Sequence, residues 1–337
     1  MKRLLVSLPM LLALAPSSAF GREPIIDMHM HADATSDYPP NMYYCVPLMD
    51  LEPAIEHSSD IGQQYLKAWQ AAECDDPIVP ADSDEVLMRQ TIERLEANNA
   101  IALLQGPPDR VKDWMKAAPG RFIPSIQFSV ERDDHEDLGW LREALTNGGF
   151  VMLGEVTNQY RGIAPNDPRM NGVWALMEEL DVPIGYHMGT GPPGASTIIP
   201  SYRVSAGNPI LLEDVLSGHP SLRISIQHMA TGFQDELKMM LWTYPQLYVE
   251  LSGPITWSRN FHTDLKALVD AGLENRILFG VDALIWPELL DRSIEIIEGA
   301  EYLSEEQKRK ILFENAVRFL KLDPEDTRAK ATGVLPN

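Results

Sequence analysis

Short runs dominated by Ile, Val, Leu and Phe recur along the chain, and each is followed by a longer stretch in which apolar residues return every three or four positions. Eight runs fit buried strands: Ile25 to His31, Ala100 to Gln105, Phe122 to Gln127, Phe150 to Val156, Pro183 to His187, Leu222 to His228, Leu247 to Leu251 and Ile277 to Asp282. The helical period falls between and after them, at Asp84 to Asn98, Arg110 to Ala118, Leu138 to Thr146, Asn171 to Leu180, Leu211 to Leu216, Asp235 to Thr243, Thr263 to Ala271 and Pro287 to Ile297. Alternation of this kind builds βα units, and eight of them predict an α/β fold, a closed (β/α)8 TIM barrel. A doubly wound open sheet is the alternative. It usually carries a Gly-rich phosphate turn after its first strand, where this chain has His31-Ala32-Asp33. One extra helix, Ser304 to Leu320, follows the eighth unit, with Ser304 and Gln307 spaced for a capping box.

Two connections are too long to be simple turns. Ala32 to Asp82 follows the first strand, and Met188 to Asn208, rich in Gly and Pro, follows the fifth. Loops after strands sit at the C-terminal mouth of a barrel, so both are expected to be lids over an active site. Cys45 and Cys74, the only cysteines, fall in the first of them. They are either a disulfide or two separate thiols.

The ends read differently from the middle. Lys2 and Arg3 precede an apolar run from Leu4 to Ala15 and the small residues Ser17-Ser18-Ala19. This is the pattern of a secretory signal peptide, since a membrane span needs roughly 20 apolar residues. Residues 1–21 are therefore assigned as signal peptide, 22–322 as the barrel domain and 323–337 as a polar tail that frays. The mature protein is expected in the periplasm or secreted, where a disulfide is chemically reasonable. Loss of Lys2 and Arg3 takes the net charge from −21 to −23, with 49 acidic residues against 26 basic ones. So acidic a surface repels phosphate backbones and anionic lipid, which excludes nucleic-acid and membrane partners after cleavage and points to a small-molecule substrate. A homodimer is compatible with the sequence.

The chemistry concentrates at the strand ends. In Asp27-Met28-His29-Met30-His31, residues i and i+2 of a strand face one side, so His29 and His31 point together. Alone, such a pair reads more readily as two half-buried histidines without a metal. Yet His187, His228 and Asp282 close the fifth, sixth and eighth runs, and a parallel barrel brings all these ends to one face. Together the five predict a metal centre. Glu155, closing the fourth run, is either a further ligand or a carboxylate that orients a histidine. His57, His135, His219 and His262 fall in loops or at helix ends and are read as structural or solvated.

This set resembles the amidohydrolase superfamily, in its branch of metal-dependent hydrolases and decarboxylases. Members carry His-x-His on strand one, a histidine on each of strands five and six, and an aspartate on strand eight, matching His29, His31, His187, His228 and Asp282. Phe313-Glu314-Asn315-Ala316-Val317-Arg318-Phe319-Leu320 also resembles the closing helix of these proteins. The carbamylated lysine that some members hold on strand four has no counterpart here, and Glu155 resembles instead the strand-four glutamate of TatD-like members.

The resemblance implies one divalent metal on His29, His31, His187 and Asp282, with a second through Glu155 and His228 left open. Three imidazoles and a carboxylate suit zinc. Asp282 is expected to take the proton of an attacking water and His228 to polarise the substrate, in a hydrolase acting on an amide, ester or lactone. The alternative is a decarboxylase of a small acid on the same fold. Arg161, Arg203 and Trp257, with Arg259, Trp286, Tyr43 and Tyr44, are placed to reach the mouth. An arginine there either grips a substrate carboxylate or is a surface charge.

Export predicts a mature chain that begins close to Ala19 or Gly21. Intact mass of protein recovered from the exported fraction measures this directly, and a full-length mass there refutes cleavage.

Overall fold

A computed structural model of the chain describes residues 23–333. The expected signal peptide lies outside the described residues. Eight parallel strands follow one another round a single sheet: β1 (Ile25–His31), β2 (Ala100–Gln105), β3 (Phe122–Phe128), β4 (Met152–Val156), β5 (Ile184–Tyr186), β6 (Ile224–Ile226), β7 (Leu247–Glu250) and β8 (Ile277–Leu278). Helices lie between them, so the architecture is the (β/α)8 TIM barrel, and the open doubly wound sheet is excluded. The barrel closes where Met28 N–H donates to the Phe279 carbonyl at 2.9 Å and Asp282 N–H donates to the His29 carbonyl at 2.8 Å. Asp27 strengthens this seam. Its buried carboxylate accepts from the backbone N–H of His29 at 2.9 Å and of Val281 at 3.0 Å.

The late strands stop earlier than their apolar runs. β5, β6 and β8 end at Tyr186, Ile226 and Leu278, so His187, His228 and Asp282 stand in the turns just beyond. His228, Met229 and Ala230 all have positive φ, as does Asp282 at +58°. Each left-handed non-glycine residue costs on the order of 1–3 kcal/mol and is held only where its surroundings over-determine it. At His228 and Asp282 those surroundings are the site itself.

Both long loops lie over the mouth. The first contains a helix, Ile61–Ala71, which starts at Asp60, whose side chain accepts from Gln63 N–H. Cys45 and Cys74 are joined in a disulfide with their Cα atoms 6.2 Å apart. Hydrogen bonds fasten this lid to the loops after β7 and β8, among them three that join it near the mouth. Tyr44 Oη and Thr256 Oγ1 are 2.7 Å apart, Trp286 Nε1 donates to the Met42 carbonyl at 2.7 Å, and Ala81 N–H donates to the Ile285 carbonyl at 2.8 Å. The two lids meet where the Tyr65 ring packs on Gly194; a Cβ at that glycine would fall 2.5 Å from the ring.

The C-terminal segment departs from expectation in two ways. The Ser304–Gln307 capping box forms, but the helix it starts passes through a π-turn at Lys310–Glu314 before continuing as Asn315–Leu320. Residues expected to fray form the helix Pro324–Thr332, capped by the Asp323 side chain and ended by left-handed Gly333. Its Ala331 is buried with Ile26, Ile101, Phe313 and Phe319, and Arg121 Nη1 donates to its carbonyl at 2.6 Å. No helix among the described residues is long and apolar enough to cross a membrane.

Buried Asn315 ties this segment to the barrel, donating through Nδ2 to the carbonyls of Glu274 at 2.8 Å and Ile277 at 2.7 Å. Asn315→Ala strands those acceptors, and a loss of about 1–3 kcal/mol is expected in urea unfolding. An unchanged midpoint would remove Asn315 from the set of anchors.

Candidate metal centre

Four histidines and two carboxylates meet at the barrel mouth. β1 delivers His29 and His31 on one side, as the period-two pattern requires, with their Nε2 atoms 3.1 Å apart. Asp282 reaches both, its Oδ1 lying 3.2 Å from His31 Nε2 and 3.7 Å from His29 Nε2. On the other side Glu155, next to last on β4, touches all four rings. It lies 3.1 Å from His228 Nε2, 3.7 Å from His31 Nε2, 3.8 Å from His29 Nε2 and 3.9 Å from His187 Nε2. Two groups of converging donors result: His29, His31 and Asp282, and His29, Glu155 and His228.

His187 stands in neither group. Gln159 Oε1 faces its Nδ1 at 2.9 Å, which fixes the proton there, and the Tyr160 hydroxyl faces Nε2 at 2.9 Å. It meets the cluster through Glu155.

The site is buried and its electrostatics follow from that. His29, His187 and His228 are at most 2% exposed, and the most open member is Asp282, with 12% of its side chain reached by solvent. Burial opposes charge on Glu155, but the His228 hydrogen bond and the His187 and His29 rings outweigh it and hold the carboxyl well below its usual range. Burial likewise opposes ionisation of Asp282, and His29 and His31 reverse it. Burial drives His187 down to about 3, with His228 adding to the effect. His228 moves the other way, up to about 9, because Glu155 overcomes the desolvation. Neighbouring imidazoles thus take opposite shifts because the Glu155 carboxylate is within hydrogen-bond distance of His228 Nε2 but 3.9 Å from His187 Nε2.

The donor set fits a divalent ion. Two imidazole nitrogens 3.1 Å apart are spaced as neighbours in one coordination shell when each bond is ~2.0–2.1 Å. The far nitrogen of His29 is engaged by Glu250 Oε2 at 3.2 Å and Ser252 Oγ at 3.0 Å, the outer arrangement that points the other nitrogen inward. His31 Nδ1, buried, has no hydrogen-bond partner closer than Asp33 Oδ1 at 3.5 Å.

Not every residue placed at the mouth by sequence faces the centre. Arg161 is turned outward beside Glu131, 3.6 Å away, and Arg203 Nη1 donates to the carbonyls of Pro200 at 2.8 Å and Tyr202 at 2.7 Å. Arg259 pairs with Asp50 on the first lid. The acidic surface and the free loop carbonyls attract these guanidinium groups more strongly than the buried mouth does. Trp257 does reach the site, stacking on His228 with ring centroids 5.5 Å apart.

Sequence reading missed Glu250, Ser252, Gln159 and Tyr160. For Glu250 a signal existed: a charged residue ending the apolar run Leu247-Tyr248-Val249. Its carboxylate fits because Gly280 has no side chain, and a Cβ there would fall on Glu250 Oε1.

His29 is common to both donor groups, so His29→Ala is expected to abolish divalent-metal binding, while His31→Ala leaves the group with Glu155 and His228 intact. Elemental analysis of the purified variants reads this, and full metal content in His29→Ala would contradict the grouping.

Comparison with known proteins agrees with the fold. The amidohydrolase family model matches residues 26–322. No curated protein matches the chain. An uncharacterized TIM-barrel protein from Bordetella bronchiseptica superposes with TM-score 0.61 at 18% identity, over 91% of this chain and 99% of that one. A probable 2-pyrone-4,6-dicarboxylic acid hydrolase from Acinetobacter baumannii gives 0.54 at 14% identity, over 88% and 99%. A dihydroxybenzoic acid decarboxylase from Polaromonas, solved with bound manganese and 2-nitroresorcinol, gives 0.51 at 17% identity, over 89% and 97%.

Proposed function

The chain belongs to the amidohydrolase family, and on that premise we propose that it is an exported, zinc-dependent hydrolase acting on an uncharged amide, ester or lactone of a small molecule. The observation that carries this reading is the position of Asp282. It is the member of the cluster most open to solvent, and it lies within 3.2 Å of His31 Nε2 and 3.7 Å of His29 Nε2. A base for hydrolysis must reach both the ion and incoming water.

His29, His31 and Asp282 would hold the ion, and His187, outside both converging groups but with its Nε2 turned toward Glu155, would be the fourth ligand. When bound there, a divalent ion would supply Lewis acidity, polarising an oxygen and lowering the pKa of water from 15.7 toward about 7. The protein residues do the remaining work. Asp282, kept ionised by the two imidazoles, accepts the proton of the attacking water through its carboxylate. His228, braced by Glu155 and by Trp257 against its ring, donates toward the oxygen on which charge develops. The lids exclude bulk water, which strengthens each of these interactions.

An uncharged substrate accords with Arg161, Arg203 and Arg259 all being engaged away from the centre. A second reading, decarboxylation of a small aromatic acid, is favoured by the likeness to the manganese-bound decarboxylase. Export rests on the signal-like leader and accords with the disulfide in the first lid. The partner is a small diffusible molecule, and the surface charge disfavours nucleic acid and membranes.

Zinc-loaded protein offered panels of lactones, esters, amides and small aromatic acids should release acid from the first three without carbon dioxide. Asp282→Asn is expected to lower kcat by about 10²–10⁴ with the fold kept. His228→Ala should cost roughly 10²–10³. Full activity in Asp282→Asn overturns the assignment of the base, and carbon dioxide release transfers the site to the second reading.

A further inference from the structure

Glu250 and Ser252 take no direct part in the reaction above, yet they are buried against two of its histidines. Ser252 Oγ donates to Glu250 Oε2 at 2.6 Å. The same oxygen lies 3.0 Å from His29 Nδ1 and 3.1 Å from His228 Nδ1. A hydroxyl has one proton and two lone pairs, so once its proton is given to Glu250 it can only accept.

Both ring nitrogens must then carry hydrogen. Each has a second acceptor that demands the same thing: Glu250 Oε2 lies 3.2 Å from His29 Nδ1, and the Ser252 carbonyl lies 3.2 Å from His228 Nδ1. Gln227 also faces His29 Nδ1 at 3.1 Å, and its buried Oε1 has no partner. The amide rotamer that turns Oε1 toward that N–H satisfies both groups. The opposite tautomer would set bare ring nitrogens against a carboxylate, a carbonyl and a committed hydroxyl. In this buried place each such mismatch is costly.

We propose that Glu250 and Ser252 form one positioning pair that keeps hydrogen on Nδ1 of both His29 and His228, so that the Nε2 atoms of both rings face the centre, that of His29 bare toward the ion and that of His228 carrying a second hydrogen toward Glu155. One carboxylate thereby sets a metal-binding imidazole and the imidazole that faces substrate. Neither residue is catalytic, since each acts through a histidine. Gly280 belongs to the device, because only a residue without Cβ leaves room for the Glu250 carboxylate. The inference rests on the metal-dependent reading for its consequences and on hydrogen-bond direction for its geometry.

The test uses the full mature protein. Nitrogen-15 NMR of histidine-labelled wild type should show three buried rings protonated at Nδ1: His187 beside Gln159, and the His29 and His228 pair, identified by the loss of the His187 signal in His187→Ala. Glu250→Gln and Ser252→Ala should alter the signals of the pair and weaken zinc binding by roughly 10–100-fold in chelator competition. Circular dichroism of the same samples reports whether the fold is kept, and the wild-type spectrum alone tests the tautomers if a variant fails to fold. Rings protonated only at Nε2 in the wild type, or variants with unchanged zinc affinity and unchanged ring signals, would overturn the pair. Wild type that shows both Nδ1–H rings but binds no zinc would sustain the pair and refute the metal-dependent reading.

Discussion

The closure of β8 against β1 is the constraint on which the site depends. Two backbone hydrogen bonds cross that seam, and Asp27 Oδ1 reaches over it to Val281 N–H. Burial pushes the Asp27 carboxyl well above its ordinary range, with Glu250 and Asp282 adding to the shift. An acid there is tolerated because two backbone donors are aimed at one of its oxygens. The same hydrogen bonds set the height of Asp282 relative to His29, which places a carboxylate from the end of the barrel against imidazoles from its beginning. The seam and the imidazoles of β1 together hold Asp282 in its left-handed backbone.

Once the mouth is assembled, electrostatics decide the arrangement. Burying two carboxylates singly would be prohibitive, but four imidazoles surround them and each acid finds a nitrogen within hydrogen-bond or ion-pair range. Glu155 is the shared element, touching every histidine of the cluster. Its reach couples the groups: moving it would disturb His187 and His228 as well as the β1 pair. The lids then remove bulk water, with aromatic packing of Tyr44 and Trp69 around Trp286 holding the first lid to the loop after β8.

Much of this was legible in the primary structure. The eight apolar runs located the strands because a parallel barrel strand is buried on both faces and needs no alternation. The His29–His31 pair was readable because a period of two is a local property. The helix at Ile61–Ala71 and the one at Pro324–Thr332 were missed, although Asp60, Asp323, Pro324 and Gly333 are good capping signals. Polar composition hid them: in Pro324–Thr332 the buried residues are Thr327 and Ala331, too few to mark an apolar stripe. Arg161 and Arg203 were placed at the mouth by their distance from a strand end, but chain position does not say which way a long side chain turns.

The order of strands, the residue types at their ends and the identity of the donors are written in the chain itself, because they follow from local period and from side-chain chemistry. Tertiary structure alone decided that Glu155 sits among four histidines, that His187 is reached through it, and that Glu250 and Ser252 lie behind His29 and His228. Those contacts join residues up to 223 positions apart. They depend on the stagger of neighbouring strands and on a gap the size of one methyl group at Gly280, which no pattern along a single strand encodes.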